Sequence, residues 1–223
     1  MSRLRPPVVT CLLLTLSVPA VAQVGHAPAR SPYRDIAQGS SITVTGGRFL
    51  GNGGDAGVGP NDGWTVGGRF DLRAGKALSL GVGIGYGQLQ RLIVDPFEDE
   101  VVGPVDNSVV FTEALVTLNL TGGKTWHRLA PFVGVAGGLA FASNVAADTS
   151  GYEFGTKFFF APTAGTRVFL GDRLHLRAEF RANFWKLSYP LSFRQEPDPV
   201  IITGADSEWD LSPWVLFGFG YTL

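Results

Sequence analysis

Cysteine is almost absent from this 223-residue chain, which has one thiol, Cys11. It lies among the first 22 positions, apart from every segment with a folding pattern. The rest of the chain can form neither a disulfide nor a cysteine metal site. Charge is also scarce. Asp, Glu, Lys and Arg make up 17%, against roughly 25% in ordinary soluble domains. The formal net charge of −1 gives no electrostatic footprint for nucleic acid. Beyond the N-terminus no apolar run reaches the roughly 18 residues of a membrane-crossing helix. His26 and His127 have no serine or acid beside them in a strand context, and His175 reads as a structural, hydrogen-bonded residue. The glycine-rich Gly51-Asn52-Gly53-Gly54 lacks the lysine and the following helix of a phosphate loop. The sequence therefore assigns no catalytic residue, no cofactor and no metal ligand set.

The N-terminus has its own character. Arg3 and Arg5 form a basic start, residues 8–18 are apolar, and Ala20-Val21-Ala22 offers a small-residue cleavage site. Residues 1–22 read as a secretory signal peptide, with an apolar run too short for an anchor helix. Residues 23–39 contain Pro28 and Pro32 and read as a flexible leader. Residues 40–223 have the length of one all-β domain.

What the chain has in abundance is glycine, 30 residues, and phenylalanine, 16 residues, set in segments of period two. Residues 174–184 read LHLRAEFRANF. Leu174, Leu176, Ala178, Phe180, Ala182 and Phe184 share one parity; His175, Arg177, Glu179, Arg181 and Asn183 share the other. This is a strand with two chemically opposite faces. The same alternation recurs over 40–50, 64–73, 78–89, 108–121, 130–143, 154–170 and 209–223, so eight strands are expected. The breaks alternate in length. Those at 51–63, 94–107, 144–153 and 190–208 are long; those at 74–77, 122–129 and 171–173 are short. An up-and-down barrel collects such breaks into a long-loop end and a short-turn end. The long breaks carry many acids, among them Asp95, Glu98, Asp99 and Glu100, opposed only by Arg194. The short ones carry Lys76, Lys124, Arg128 and Arg173 against Asp172.

Polarity decides which face is inside. If the apolar faces pointed inward, Phe70, Leu80, Phe180, Phe217 and many others would crowd a lumen that holds only modest side chains in an eight-stranded barrel. The reverse places them against lipid, where large apolar residues gain about 1.5–3 kcal/mol each on full burial. Charged residues then occupy the lumen: Arg69, Asp71, Glu113, Arg167, Arg177, Glu179 and Arg181. Unpaired charges there would cost several kcal/mol, so a connected salt-bridge network that plugs the lumen is expected. Gly81, Gly83, Gly85 and Gly87 would leave room opposite the arginines. Trp64, Tyr86, Trp185, Tyr189 and Trp209 are expected at a girdle near the long loops, and Trp126, Trp214 and Tyr221 at a second one.

From residue 40 to the end, the chain resembles the small eight-stranded outer-membrane β-barrel family of OmpA membrane domains and OmpX. The resemblance rests on the signal peptide, the dyad strands, the loop asymmetry and the last stretch. There Val215, Phe217, Phe219, Tyr221 and Leu223 form one apolar face like a C-terminal sorting strand, although the family usually ends in an aromatic residue. The resemblance implies an antiparallel up-and-down transmembrane barrel in the cell outer membrane. Implied partners are membrane lipid, lipopolysaccharide and the barrel assembly machinery, for a monomer that binds no nucleic acid. Divalent cations at the acidic loop are a further expectation. The leading functional reading is a non-enzymatic barrel serving envelope structure, adhesion or surface interaction. The alternatives are a narrow solute pore, a lipid-modifying enzyme, or a secreted lipocalin-like binder with inverted faces.

Overall fold

The computed structural model of the protein describes residues 31–37, 39–95, 100–193 and 206–223. The expected signal peptide, the leader up to residue 30, Glu98, Asp99 and Arg194 lie outside the described residues. Ten strands run in chain order: β1 (Tyr33–Asp35), β2 (Ser40–Asn52), β3 (Asn61–Arg73), β4 (Leu78–Asp95), β5 (Glu100–Asn119), β6 (Lys124–Trp126), β7 (Leu129–Ala142), β8 (Thr156–Phe169), β9 (Leu174–Ser188) and β10 (Ser207–Thr222). Eight of them, β2–β5 and β7–β10, form a closed antiparallel barrel. Consecutive strands pair along the chain, and β10 returns to β2 with Phe219 opposite Val44. Closure leaves no barrel strand with an unpaired edge, the condition for a sheet in hydrocarbon. Among the described residues no helix is long and apolar enough to cross a membrane.

The alternation read from the sequence sets the faces. Phe180 is 50% exposed, Phe70 40% and Leu80 45%, all on the outer wall. Arg177 and Arg181, three and one positions from Phe180 along the same run, are 3% and 2% exposed. Greasy side chains are outside and ionised ones inside, the inverse of a soluble barrel.

Two expectations about the breaks need correction. Residues 94–95 and 100–107 are strand, not irregular loop. β4 and β5 continue as a ladder to the pair Asp95–Glu100, with a bulge between Arg91 and Ile93. They are the longest strands, at 18 and 20 residues. The leader is not wholly patternless either: Tyr33, Arg34 and Asp35 pair with Trp126, Thr125 and Lys124 of β6. This small ribbon occupies the break at 122–129. Arg73 ties the segment down by donating to the carbonyls of Ile36 and Ala37 at 3.2 Å.

Candidate functional site

The seven lumen charges read from the sequence come from four strands. β3 supplies Arg69 and Asp71, β5 Glu113, β8 Arg167, and β9 Arg177, Glu179 and Arg181. Several of them face glycine across the ladders. Glu113 lies between Gly83 and Gly138, Asp71 beside Gly81, Glu179 beside Gly165 and Arg177 beside Gly218. A long polar side chain therefore fits where a facing side chain would collide. A Cβ at Gly81 would lie 2.5 Å from Asp71 Oδ1, and one at Gly83 would lie 3.0 Å from Glu113 Oε1. The glycines of β4 thus make space for the neighbouring carboxylates, not directly for the arginines across the lumen.

Glu179 is the hub. Its Oε2 accepts from Arg177 Nε at 2.6 Å and Arg69 Nη2 at 3.1 Å, and its Oε1 accepts from Arg181 Nε at 2.5 Å. Arg181 spans further, donating through Nη1 and Nη2 to the two oxygens of Glu113, the second at 3.1 Å. Asp71 lies 3.9 Å from Arg69 Nε. Arg167 stands apart from this web and donates to Asn119 Oδ1. Aromatic faces back the arginines: Arg177 lies 4.0 Å above Phe132, and Arg181 lies 5.1 Å from the centre of Trp214. Such stacking further favours a guanidinium. Burial on this scale needs all the partners, because an uncompensated interior charge costs several kcal/mol.

Sequence reasoning missed the layer above. Trp185, Tyr189 and Trp214 do not belong to outer girdles. They are buried and point inward with Phe49, Leu89, Phe111, Phe154, Phe159 and Leu187. Phe49 packs 5.3 Å from Trp185, Phe111 packs 5.0 Å from Trp214, and Trp185 Nε1 donates to Asp210 at 2.9 Å. Parity was the available signal. Trp185 shares the parity of Arg181, Phe111 that of Glu113, and Trp214 is out of step with Phe217. Trp64, Trp126, Trp209 and Tyr221 do face outward.

Toward the short turns, His175 is buried with its ring 5.3 Å from Phe169. The sorting-strand residues Phe217, Phe219, Tyr221 and Leu223 are exposed on the outer wall.

At the long-loop end, Arg91 pairs with Asp148. Asp148 Oδ1 also accepts from the Ser150 amide at 2.9 Å and hydroxyl at 2.5 Å. Burial pushes the Asp148 carboxyl up, but Ser150 and Arg91 outweigh it and hold it below the usual carboxylate range. Tyr189 donates to Glu208, whose Oε1 also accepts from the Asp55 amide at 2.7 Å. Burial, and then that carboxylate, raise the Tyr189 phenol. Among the described residues no group of three or more His, Cys, Asp or Glu converges as a metal site.

No protein-family model matches the chain, and no curated protein matches its sequence. Solved structures do match. Neisserial surface protein A (NspA) superposes with a TM-score of 0.57 at 12% identity, covering 83% of this chain and 98% of that one. The outer-membrane protein OprG from Pseudomonas aeruginosa gives 0.52 at 12% identity, covering 85% and 98%. The shared property is the fold. That fold, with the apolar outer wall and ionised interior described above, is the architecture of a membrane-spanning β-barrel.

Proposed function

We propose that the protein is a non-enzymatic barrel whose interior is closed to solutes and whose outer loops meet molecules at the cell surface. One observation carries the reading. Arg181 joins Glu179 on its own strand to Glu113 on β5, directly beneath the layer of Trp214, Phe111 and Trp185. A wide aqueous path needs an unoccupied centre, and eight strands enclose room only for side chains or one small ligand. Both oxygens of Glu179 and of Glu113 are engaged by arginine. They are therefore poorly placed to act as a general acid or base.

On this reading the wall anchors the chain as a monomer in lipid and lipopolysaccharide, after delivery by the barrel assembly machinery to which the β10 outer face presents Phe217, Phe219, Tyr221 and Leu223. The acidic outer segments contribute adhesion or surface contacts, with divalent cations bridging carboxylates such as Asp95 and Glu100 to lipid phosphates. Planar-bilayer recording of the purified barrel tests closure. The reading expects no discrete conductance steps. Regular steps that survive repurification would establish the narrow-pore alternative instead.

A further inference from the structure

The long-loop end holds a cavity that the lumen network does not use. Its volume is about 180 Å³, more than ten times the ~10–15 Å³ that one water needs. Arg91, Asn107, Asn144, Asp148, Tyr152 and Phe154 line it. Arg91 and Tyr152 are each 3% exposed. Arg91 spends Nη2 on Asp148, while its Nε and Nη1 have no partner among the described residues; neither has the Tyr152 hydroxyl. Buried polar groups are normally satisfied, so three such atoms on two of the residues that line one cavity point to a ligand there.

From this arrangement we propose that the cavity binds a neutral, hydroxyl-rich ligand the size of one sugar ring, such as the end of a surface glycan. The charge on Arg91 is already matched by Asp148, and Glu153 at the cavity edge adds a negative charge. A carboxylate or sulfate ligand would have to displace Asp148 and face Glu153. What remains on offer is two guanidinium N–H donors and a phenolic hydroxyl, which suit uncharged oxygen acceptors. The amides Asn107 and Asn144 can serve hydroxyls in either direction. Tyr152 and Phe154 add apolar lining to the same cavity. The ion pair keeps the recognising arginine in place: Arg91 lies 5.4 Å from the centre of the Tyr152 ring, which packs against Tyr189 and Phe193. This site deepens the surface-contact reading and rests on it only for the side of the membrane that it faces.

Saturation-transfer NMR and calorimetry on the full barrel in nanodiscs provide the test. The probes are glucose, galactose and N-acetylglucosamine, with N-acetylneuraminate, a sulfated disaccharide and a short acidic peptide as competitors. At least one neutral sugar should bind saturably. Tyr152→Phe keeps the ring and removes the hydroxyl, and should weaken binding about tenfold, the order expected for one lost hydrogen bond. Arg91→Lys keeps a cation for Asp148 but loses the two free donors, and should weaken it at least as much. Failure of every neutral sugar to bind up to tens of millimolar would overturn the proposal. So would binding that both variants leave unchanged, or preference for an anionic sugar or the peptide. Closed-barrel conductance would remain unaffected in each case, which separates this failure from failure of the proposed function.

Discussion

Arg181 on β9 reaches Glu113 on β5 with both terminal nitrogens, although β7 and β8 separate these strands in the wall. The pair crosses the lumen and fixes two distant parts of the barrel at a set separation. Removing one partner leaves a buried charge alone, which costs about 3–5 kcal/mol. Arg181→Met should lower the unfolding free energy in micelles by that order, because Glu113 loses its arginine partner and Glu179 loses the donor to its Oε1. Adding Glu113→Gln should restore part of the loss, which urea titration followed by tryptophan fluorescence would read. Equal stabilities of Arg181→Met and the natural chain would contradict this.

Arg177→Leu should cost less than Arg181→Met. Arg177 touches Glu179 but not Glu113, and Glu179 retains Arg181 and Arg69. Loss of Arg177 leaves both acids with an arginine partner. The same titration ranks the two variants.

Two glycines of opposite orientation should respond in opposite ways to alanine. A Cβ at Gly138 would lie 1.9 Å from the Thr112 carbonyl oxygen, which is backbone and cannot swing aside. Gly138→Ala should severely reduce folding, seen as loss of the compact, heat-modifiable band on gels. At Gly68 nothing lies within 4 Å. Gly68→Ala should fold normally and gain a few tenths of a kcal/mol, from reduced freedom of the unfolded chain.

The Arg91–Asp148 clasp has a defined pH window. The folded carboxyl titrates below its ordinary value of 3.8. Its contribution is therefore fully present above that value and is lost only as pH falls through the lower, folded one. Hydrogen exchange in residues 143–155 should be constant in protection from pH 8 to pH 5 and rise only below about pH 4. Asp148→Asn should raise exchange at every pH. A transition near pH 6 would refute the assignment.

The strands and their faces were legible in the sequence because lipid and lumen impose opposite chemistry on alternate residues. Arg177 and Phe180 could be assigned to opposite walls from parity alone. The upper part of the molecule was less legible. Beyond Leu89 the β4–β5 ladder carries a bulge, and Arg91, Leu92 and Ile93 no longer alternate cleanly between polar and apolar. Pro96 and Pro104 then look like the bounds of a loop. The inward aromatics were hidden for another reason: Trp185 and Trp214 suit an interfacial belt as well as a packed interior, and only parity distinguishes them. Nor does strand patterning reveal which charges meet. Pairing of Arg181 with Glu113 depends on closure of the barrel, a long-range event with no local sign.

Inverted polarity is the central claim, and oxygen-versus-nickel collision rates of a nitroxide at position 180 test it most directly. Cys11 is the one natural thiol, so a Cys11→Ser background with Phe180→Cys carries a single label. In liposomes the label should collide freely with lipid-dissolved oxygen and scarcely with a water-soluble nickel chelate. A label at that position open to nickel, or sheltered from both reagents, would mean that Phe180 does not face hydrocarbon.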